Sequence, residues 1–236
     1  MATGKKFVKI KSIVDSEKYY SVSESVELVE KTKRANFDES VDIAVKLGID
    51  PRQADQQIRT AVNLPHGTGK NIKVMVFAKD DKVEEAKNAG ANHAGLDEYI
   101  EKITKENWMD FDVAIATPDV MSKVGGLGKV LGPKGLMPNP KVGTVTKNVA
   151  EVVKQAKEGR IEIKNDKSGV IHAPIGKVSF GKQKIKENLL AIINEINKQK
   201  PSSSKGIFLR KVSVSNTMGP GINLDMVDIK ESLKSL

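Results

Sequence analysis

The chain has 236 residues, enough for one large or two ordinary domains with a buried core. It contains no cysteine, which excludes disulfides and thiolate metal sites and fits a reducing compartment. The net charge is +9, and the longest apolar runs, residues 74–78 and 189–193, are too short to cross a bilayer. These properties predict a cytoplasmic protein with no membrane attachment.

The first third of the chain predicts a helix followed by two half-buried strands. Ser21 and Glu24 have the spacing of a capping box, and valines follow at helical intervals. Residues 41–47 and 58–64 then alternate between apolar and polar. A period of two is typical of strands in a sheet that is open to water on one face.

The middle of the chain has a different pattern. Residues 72–78 and 113–116 are nearly continuous apolar runs, and the helical segments 82–89 and 97–104 lie between them. Buried strands that alternate with helices indicate a parallel sheet covered on both faces.

Segment 120–150 is rich in glycine and contains five lysines and no acidic residue. It predicts a flexible basic loop suited to contacts with phosphates, and a solvated loop without a ligand is the alternative. The segment is not a Walker phosphate loop, because Val130 stands where that motif needs Ser or Thr after Gly-Lys.

From residue 160 onward the half-buried pattern returns. Ile161 and Ile163 precede the turn-rich segment 165–169, and a second strand over 170–178 completes a hairpin. Residues 185–196 carry one apolar stripe and predict a helix, and residues 208–214 predict a last strand.

The two outer segments share a pattern that the middle lacks, so we expect an inserted domain. Residues 1–67 and 160–236 would form an α+β domain, and residues 68–159 would form a second, α/β domain within it. Residues 160–215 hold twelve basic and four acidic residues, which is nearly all of the surplus charge. A polyanion such as nucleic acid is the natural partner of such a surface, and a solvated lysine-rich face is the alternative.

The chain has no pattern of residues that predicts catalysis, a metal site or a cofactor. The three histidines lie far apart in sequence and have no paired spacing with acids, so we expect them to be structural. Aromatic residues make up only 4% of the chain, which argues against a base-stacking platform. In the segment Thr217-Met218-Gly219, the hydroxyl, the thioether and the missing side chain suit a close contact with RNA, and a simple turn is the alternative.

Several motifs occur together and in order. The sharpest is residues 128–140, GKVLGPKGLMPNP, and the others are FDES at 37–40, KLGIDPR at 46–52, LPHG at 64–67, WMDFD at 108–112, ATPDVM at 116–121, IHAP at 171–174 and TMGP at 217–220. This set, which spans essentially the whole chain, resembles the bacterial L-one family, the universal first protein of the large ribosomal subunit.

The resemblance implies a fold and a function. The fold would be a split β-α-β domain of the α+β type, made from both chain ends, with an inserted Rossmann-like three-layer α/β domain. The protein would bind large-subunit rRNA as a monomer and form the mobile stalk beside the E site, where it would assist release of deacylated tRNA. It would also repress translation by binding its own operon mRNA.

The resemblance also implies which residues bind RNA. Carried over by position they are Phe37, Ser40, Lys167, Ser168, Thr217, Met218 and Gly219. Two positions depart from the family pattern: Asn36 stands where lysine is common, and Lys211 stands where a small hydroxyl residue is common. The alternative of another class is a Rossmann-like enzyme that acts on a phosphorylated small molecule.

Overall fold

The computed structural model describes residues 4–79, 81–204 and 206–234, and these form a mixed α/β protein with several sheets. In chain order the strands are β1 (Tyr19–Tyr20), β2 (Ser40–Leu47), β3 (Arg59–Asn63), β4 (Val74–Phe77), β5 (His93–Gly95), β6 (Val113–Ala116), β7 (Arg160–Lys164), β8 (Val170–Lys177), β9 (Leu209–Asn216) and β10 (Ile222–Leu224). The helices are α1 (Lys5–Lys11), α2 (Val22–Lys31), α3 (Asp81–Asn88), α4 (Asp97–Glu106), α5 (Met121–Gly125), α6 (Gly128–Leu131), α7 (Val149–Glu158), α8 (Lys182–Lys198) and α9 (Met226–Lys234).

The chain separates into two compact units. The first unit contains the residues up to Gly69 and those from Ile161 onward, and the second is Lys70–Arg160. Each unit has its own apolar interior, the first around β2, β8, β9 and α8 and the second around β4.

The first unit contains a five-stranded sheet in the order β1-β10-β9-β2-β8. β1 is parallel to β10, and the pairs from β10 to β8 are antiparallel. Apolar side chains of α2 and α8 are buried in one core with the inward residues of these strands, including Val29, Ile43 and Leu189. The predicted capping box at the start of α2 is confirmed, because Ser21 and Glu24 exchange side-chain and backbone hydrogen bonds.

Asn188 joins α8 to the last residues of the first unit's N-terminal segment. Its side chain is fully buried. Its Oδ1 accepts from the N–H of His66 (3.1 Å), and its Nδ2 donates to the carbonyls of Gly67 (3.0 Å) and Ile175 (2.7 Å). A buried amide that forms three hydrogen bonds has few unmet donors and acceptors, so it fixes this segment on the helix.

The second unit is built on a parallel sheet in the order β5-β4-β6. Residues of α3 and α7 pack with Val74 and Val76 on one face. Residues of α4, α5 and α6 pack with Met75 and Phe77 on the other. All four residues of β4 are buried because helices cover both faces, which explains the continuous apolar run in the sequence.

The prediction of a flexible loop over residues 120–150 is wrong. The segment contains α5 and α6, and Val124, Leu127 and Leu131 are buried against the sheet of the second unit. Their spacing of three and four residues is helical, and the density of glycines obscured it. Lys123 and Lys129 stand on these two short helices, which the three apolar side chains anchor.

Candidate nucleic-acid interface

The face of the five-stranded sheet opposite α2 and α8 carries small and polar side chains. Along β2 the residues alternate strictly, with Val41, Ile43 and Val45 buried and the residues between them partly or fully exposed. The strand register places one such residue from each of the five strands in a single row, namely Tyr19, Asn223, Ser213, Ala44 and His172. We call this surface the open face.

The side chains at the centre of the open face are short. Ala44 and Ser213 are direct partners across β2 and β9, and Asp42 and Ser215 form the next pair. The hydroxyl of Ser213 donates to Oδ1 of Asn223 (2.9 Å), which keeps both side chains close to the sheet. Short side chains let a sugar-phosphate backbone come near the sheet, as recognition by shape requires.

At one end of the open face, Ser40 and Thr217 are joined although they lie far apart in sequence. The N–H of Thr217 donates to the carbonyl of Ser40 (3.0 Å), and its Oγ1 accepts from the N–H of Ser40 (3.0 Å) and donates to the same carbonyl (3.2 Å). The hydroxyl therefore retains one lone pair and no free proton. Toward a ribose hydroxyl, Thr217 can act only as an acceptor.

The buried carboxylate of Glu39 connects the segments at this end of the open face by hydrogen bonds. It is fully buried, and its carboxylate accepts from the N–H groups of Arg34 (2.9 Å), Ala35 (2.6 Å) and Met218 (3.3 Å). Burial by itself raises the pKa of the Glu39 carboxyl, but these backbone N–H groups and the charge of Arg34 outweigh it, so the net pKa is lowered. The ionised carboxylate thus fixes the position of Met218.

Asn216 shapes the turn that carries Met218. Its side chain is buried, and Nδ2 donates to the carbonyl of Val29 (2.6 Å) and to Oγ1 of Thr32 (3.2 Å). The N–H of Gly219 donates to the carbonyl of Asn216 (3.1 Å), which closes a four-residue turn with Thr217 and Met218 at its centre. Met218 is 42% exposed at the tip of this turn, and Phe37 is 55% exposed on the segment before β2.

Gly219 packs closely against Asn216 within the protein. Its φ is not positive, but a Cβ on Gly219 would come within 3.1 Å of the Cβ of Asn216, whose amide is fixed by its hydrogen bonds. The missing side chain at Gly219, which the sequence predicts to give clearance toward RNA, also avoids this contact with Asn216.

We expect Gly219→Ala to lower the free energy of unfolding by about 1 kcal/mol, since Asn216 must shift to relieve the contact. Gly221→Ala is the matched control, because a Cβ on Gly221 would meet nothing within 4 Å. Urea unfolding of the two variants and the parent measures the difference. Equal stability of the two variants would show that Asn216 can shift to relieve the contact with no loss in the free energy of unfolding.

At the other end of the open face, the turn between β7 and β8 presents Lys167 and Ser168, and both are exposed. The prediction of a hairpin here is wrong, because β7 pairs with β3 and only a single bridge, between Asn165 and Ile171, joins this turn across to β8. Oδ1 of Asp166 accepts from the N–H groups of Ser168 (2.8 Å) and Val170 (2.8 Å). The hydrogen bond from Val170 is the largest cause of the lowered pKa of the Asp166 carboxyl. The ammonium group of Lys46 donates to the carbonyl of Ser168, so the turn is also tied to β2.

The residues that the sequence singled out thus fall into two clusters. Phe37, Ser40 and the turn 217–219 lie at the start of β2, and Lys167 and Ser168 lie beside its end. Six residue steps along β2 separate Ser40 from Lys46, which at about 3.3 Å per step is roughly 20 Å. The open face lies between the clusters, so a ligand that reaches both must be extended along it.

Sequence reasoning missed Glu39 and Asn216. The signal was present, because Glu39 continues the inward-facing residues of β2 by one step of two, and Asn216 continues Val212 and Val214 of β9 in the same way. A polar residue on the buried face of a strand must find partners, and here it fixes the two segments that carry Ser40 and Met218.

The rest of the described chain carries no feature typical of a metal site or of a pocket for a phosphorylated substrate. Within residues 4–79, 81–204 and 206–234, no group of three or more His, Cys, Asp or Glu could hold a metal ion. A depression along α4 in the second unit is lined by four carboxylates and two lysines, which would repel a phosphorylated ligand. In the described part of the chain no helix is both long and apolar enough to span a membrane.

Comparison with known proteins places the chain in a class. The model of the ribosomal protein L1p/L10e family matches residues 28–220, which include both clusters and the part of the open face formed by β2, β8 and β9. The chain belongs to this family. It is therefore a ribosomal protein with a structural role, located on the ribosome in the cytoplasm, and it is not an enzyme. The alternative of a Rossmann-like enzyme is thereby set aside.

A relative agrees over nearly the full length. The large ribosomal subunit protein uL1 of Kosmotoga olearia is 54% identical over 227 residues, which cover 96% of this chain and 98% of that protein.

Proposed function

We propose that the chain is a constituent of the large ribosomal subunit and binds large-subunit rRNA through the open face. The observation that carries this proposal is a sheet face with short side chains at its centre, flanked at both ends by the two clusters of residues that the sequence predicted to bind RNA. The name of the Kosmotoga olearia relative, a large ribosomal subunit protein, supports the assignment to that subunit. The basic excess of residues 160–215 supports a polyanionic ligand.

The contacts we propose divide into two kinds. Phe37, Ser40, Thr217, Met218 and Gly219 would contact sugars and bases at one end, since they carry no charge. At the other end Lys167 would pair with a phosphate, and Ser168 would donate its hydroxyl to a phosphate or a ribose.

The experiment that tests the function is binding of the full chain to fragments that tile the large-subunit rRNA. We expect one fragment to be retained at moderate salt while the others are lost, because specific contacts persist when counterion release is weakened. Retention of all fragments alike, with the affinity vanishing as salt is raised, would contradict the proposal.

The resemblance supports three finer proposals. The bound rRNA would form the mobile stalk beside the E site, the protein would assist release of deacylated tRNA there, and the free monomer would bind its own operon mRNA and repress translation. One face cannot hold two RNA molecules at once, so the operon leader and the retained rRNA fragment should compete. Simultaneous binding of both, measured as a ternary complex in native gels, would exclude a shared face.

We also propose that the RNA-binding domain consists of residues 1–67 and 160–236 and that residues 68–159 form the inserted Rossmann-like domain. A chain that joins the two outer segments through a short linker should fold and keep most of the affinity, since both clusters lie within it. Circular dichroism checks the fold, and a filter assay with the retained rRNA fragment checks the affinity. Specific binding by isolated 68–159, with none by the folded joined chain, would reverse the assignment.

A further inference from the structure

A register shift between β2 and β9 concentrates positive charge at one corner of the open face. Lys46 is paired with Lys211, whereas the next residue of β2, Leu47, is paired with Leu209. Arg210 is therefore an extra residue in β9, a β-bulge. Arg210 and Lys211 are both exposed although they are neighbours in the strand, which breaks the alternation of β9. Bulges commonly redirect side chains beside functional sites.

Backbone packing keeps this corner compact. A Cβ on Gly48 would come within 3.2 Å of Nε of Arg210 and would strike the carbonyl oxygen of Ile207. The N–H of Gly48 donates to the carbonyl of Phe208 (2.7 Å). The absence of a side chain at Gly48 thus leaves room for the guanidinium group of Arg210 beside the end of β2.

The protein balances only part of the positive charge of this corner. Like charges placed directly opposite each other in a sheet destabilise it, and Lys46 and Lys211 are such a pair. Asp166 is the carboxylate whose charge interacts with Lys46, and its Oδ1 is already occupied by two backbone N–H groups. In the part of the chain that the structure describes, neither Arg210 nor Lys211 forms an ion pair.

We propose that Lys46, Arg210 and Lys211 form a binding site for the phosphodiester backbone of RNA, created by the bulge in β9. The inference rests on the proposed function and adds residues to the face. Lys46 still has two of its three N–H donors free after its bond to Ser168, and Arg210 and Lys211 bring an unpaired guanidinium and ammonium. A phosphate bound among them offsets the repulsion between Lys46 and Lys211, so its binding also stabilises the folded protein.

The test is the salt dependence of binding between the full chain and the rRNA fragment that it retains. Each phosphate contact contributes about 0.7–0.9 to the slope of log affinity against log salt. We expect Lys211→Gln to lower the slope by about that amount and Lys211→Arg to leave it unchanged. Lys230→Gln is the matched control, because Lys230 is exposed on α9, outside the open face. Arg210→Gln combined with Lys211→Gln should lower the slope further than either change alone.

A second measurement separates the site from a loss of fold. The melting temperature of Lys211→Gln without RNA should equal or exceed that of the parent, since a like-charge pair has been removed. If the parent binds the fragment but Lys211→Gln has the same slope as Lys230→Gln, the corner is only a solvated basic surface. If the parent retains no fragment specifically, the proposed function fails instead, which is a distinguishable result.

Discussion

Replacing the buried carboxylate of Glu39 should destabilise the protein and weaken RNA binding together. In Glu39→Gln the amide oxygen can still accept from Arg34 and Ala35, but the NH₂ group then faces the N–H of Met218, which is left unpaired. A buried donor without a partner costs about 1–3 kcal/mol. We expect a loss of that size in the free energy of unfolding, measured in urea at neutral pH.

The affinity for RNA should fall about tenfold in the same variant, since about 1.4 kcal/mol of ordering of the turn would have to be supplied on binding. Glu231→Gln is the matched control, because it makes the same chemical change at an exposed position of α9. A Glu39→Gln protein that is as stable as the Glu231→Gln protein would show that the three N–H groups find other partners.

The stability supplied by Glu39 should also depend on pH. The folded pKa of its carboxyl lies below the ordinary value, so the unfolded state binds the proton more tightly. The contribution is therefore fully present above the unfolded pKa and is lost as pH falls through the folded pKa. The stability difference between the parent and Glu39→Gln should shrink below about pH 4. A difference that stays constant from neutral pH to pH 3 would contradict the lowered pKa.

Removing the two exposed apolar side chains at the same end of the open face should weaken RNA binding and leave stability nearly unchanged. In Phe37→Ala combined with Met218→Ala, stability should change by less than about 1 kcal/mol, because each side chain is already about half exposed to water. RNA affinity should fall by roughly 30-fold to 150-fold if both side chains are buried on binding, at about 1–1.5 kcal/mol each.

The salt slope should be unchanged in this double variant, since neither residue is charged. Val227→Ala is the control, because Val227 is 62% exposed on α9 and lies outside the open face. Titrations of the retained rRNA fragment at two salt concentrations give both quantities. An affinity equal to that of Val227→Ala would remove Phe37 and Met218 from the site.

The two variants separate the roles of neighbouring residues. Glu39 acts through the position of Met218 and has no contact with solvent, whereas Met218 and Phe37 present surface and contribute little to the fold. A loss of affinity with stability intact is therefore the signature of direct contact. A loss of both stability and affinity is the signature of a residue that holds a contacting residue in position.

The local pattern of the sequence determined most of the elements. The alternation of residues 41–47 predicted β2, the apolar run 72–78 predicted β4, and the stripe over 185–196 predicted α8, and all three are confirmed. These predictions succeed because a strand or helix that is buried on one side needs apolar residues at its own period, whatever it packs against. The same rule, applied one step further along β2 and β9, would have found Glu39 and Asn216.

Only the tertiary structure decided how the elements meet. The hydrogen bonds between Ser40 and Thr217 join residues 177 positions apart, and they exist because the chain returns to place β9 beside β2. The bulge at Arg210 is likewise a property of the pairing between two strands. Strand order and register depend on contacts between distant segments, and the period of a single strand is the same for every partner and every even shift. Sequence pattern therefore identified the strands, and folding alone fixed which residues share the open face.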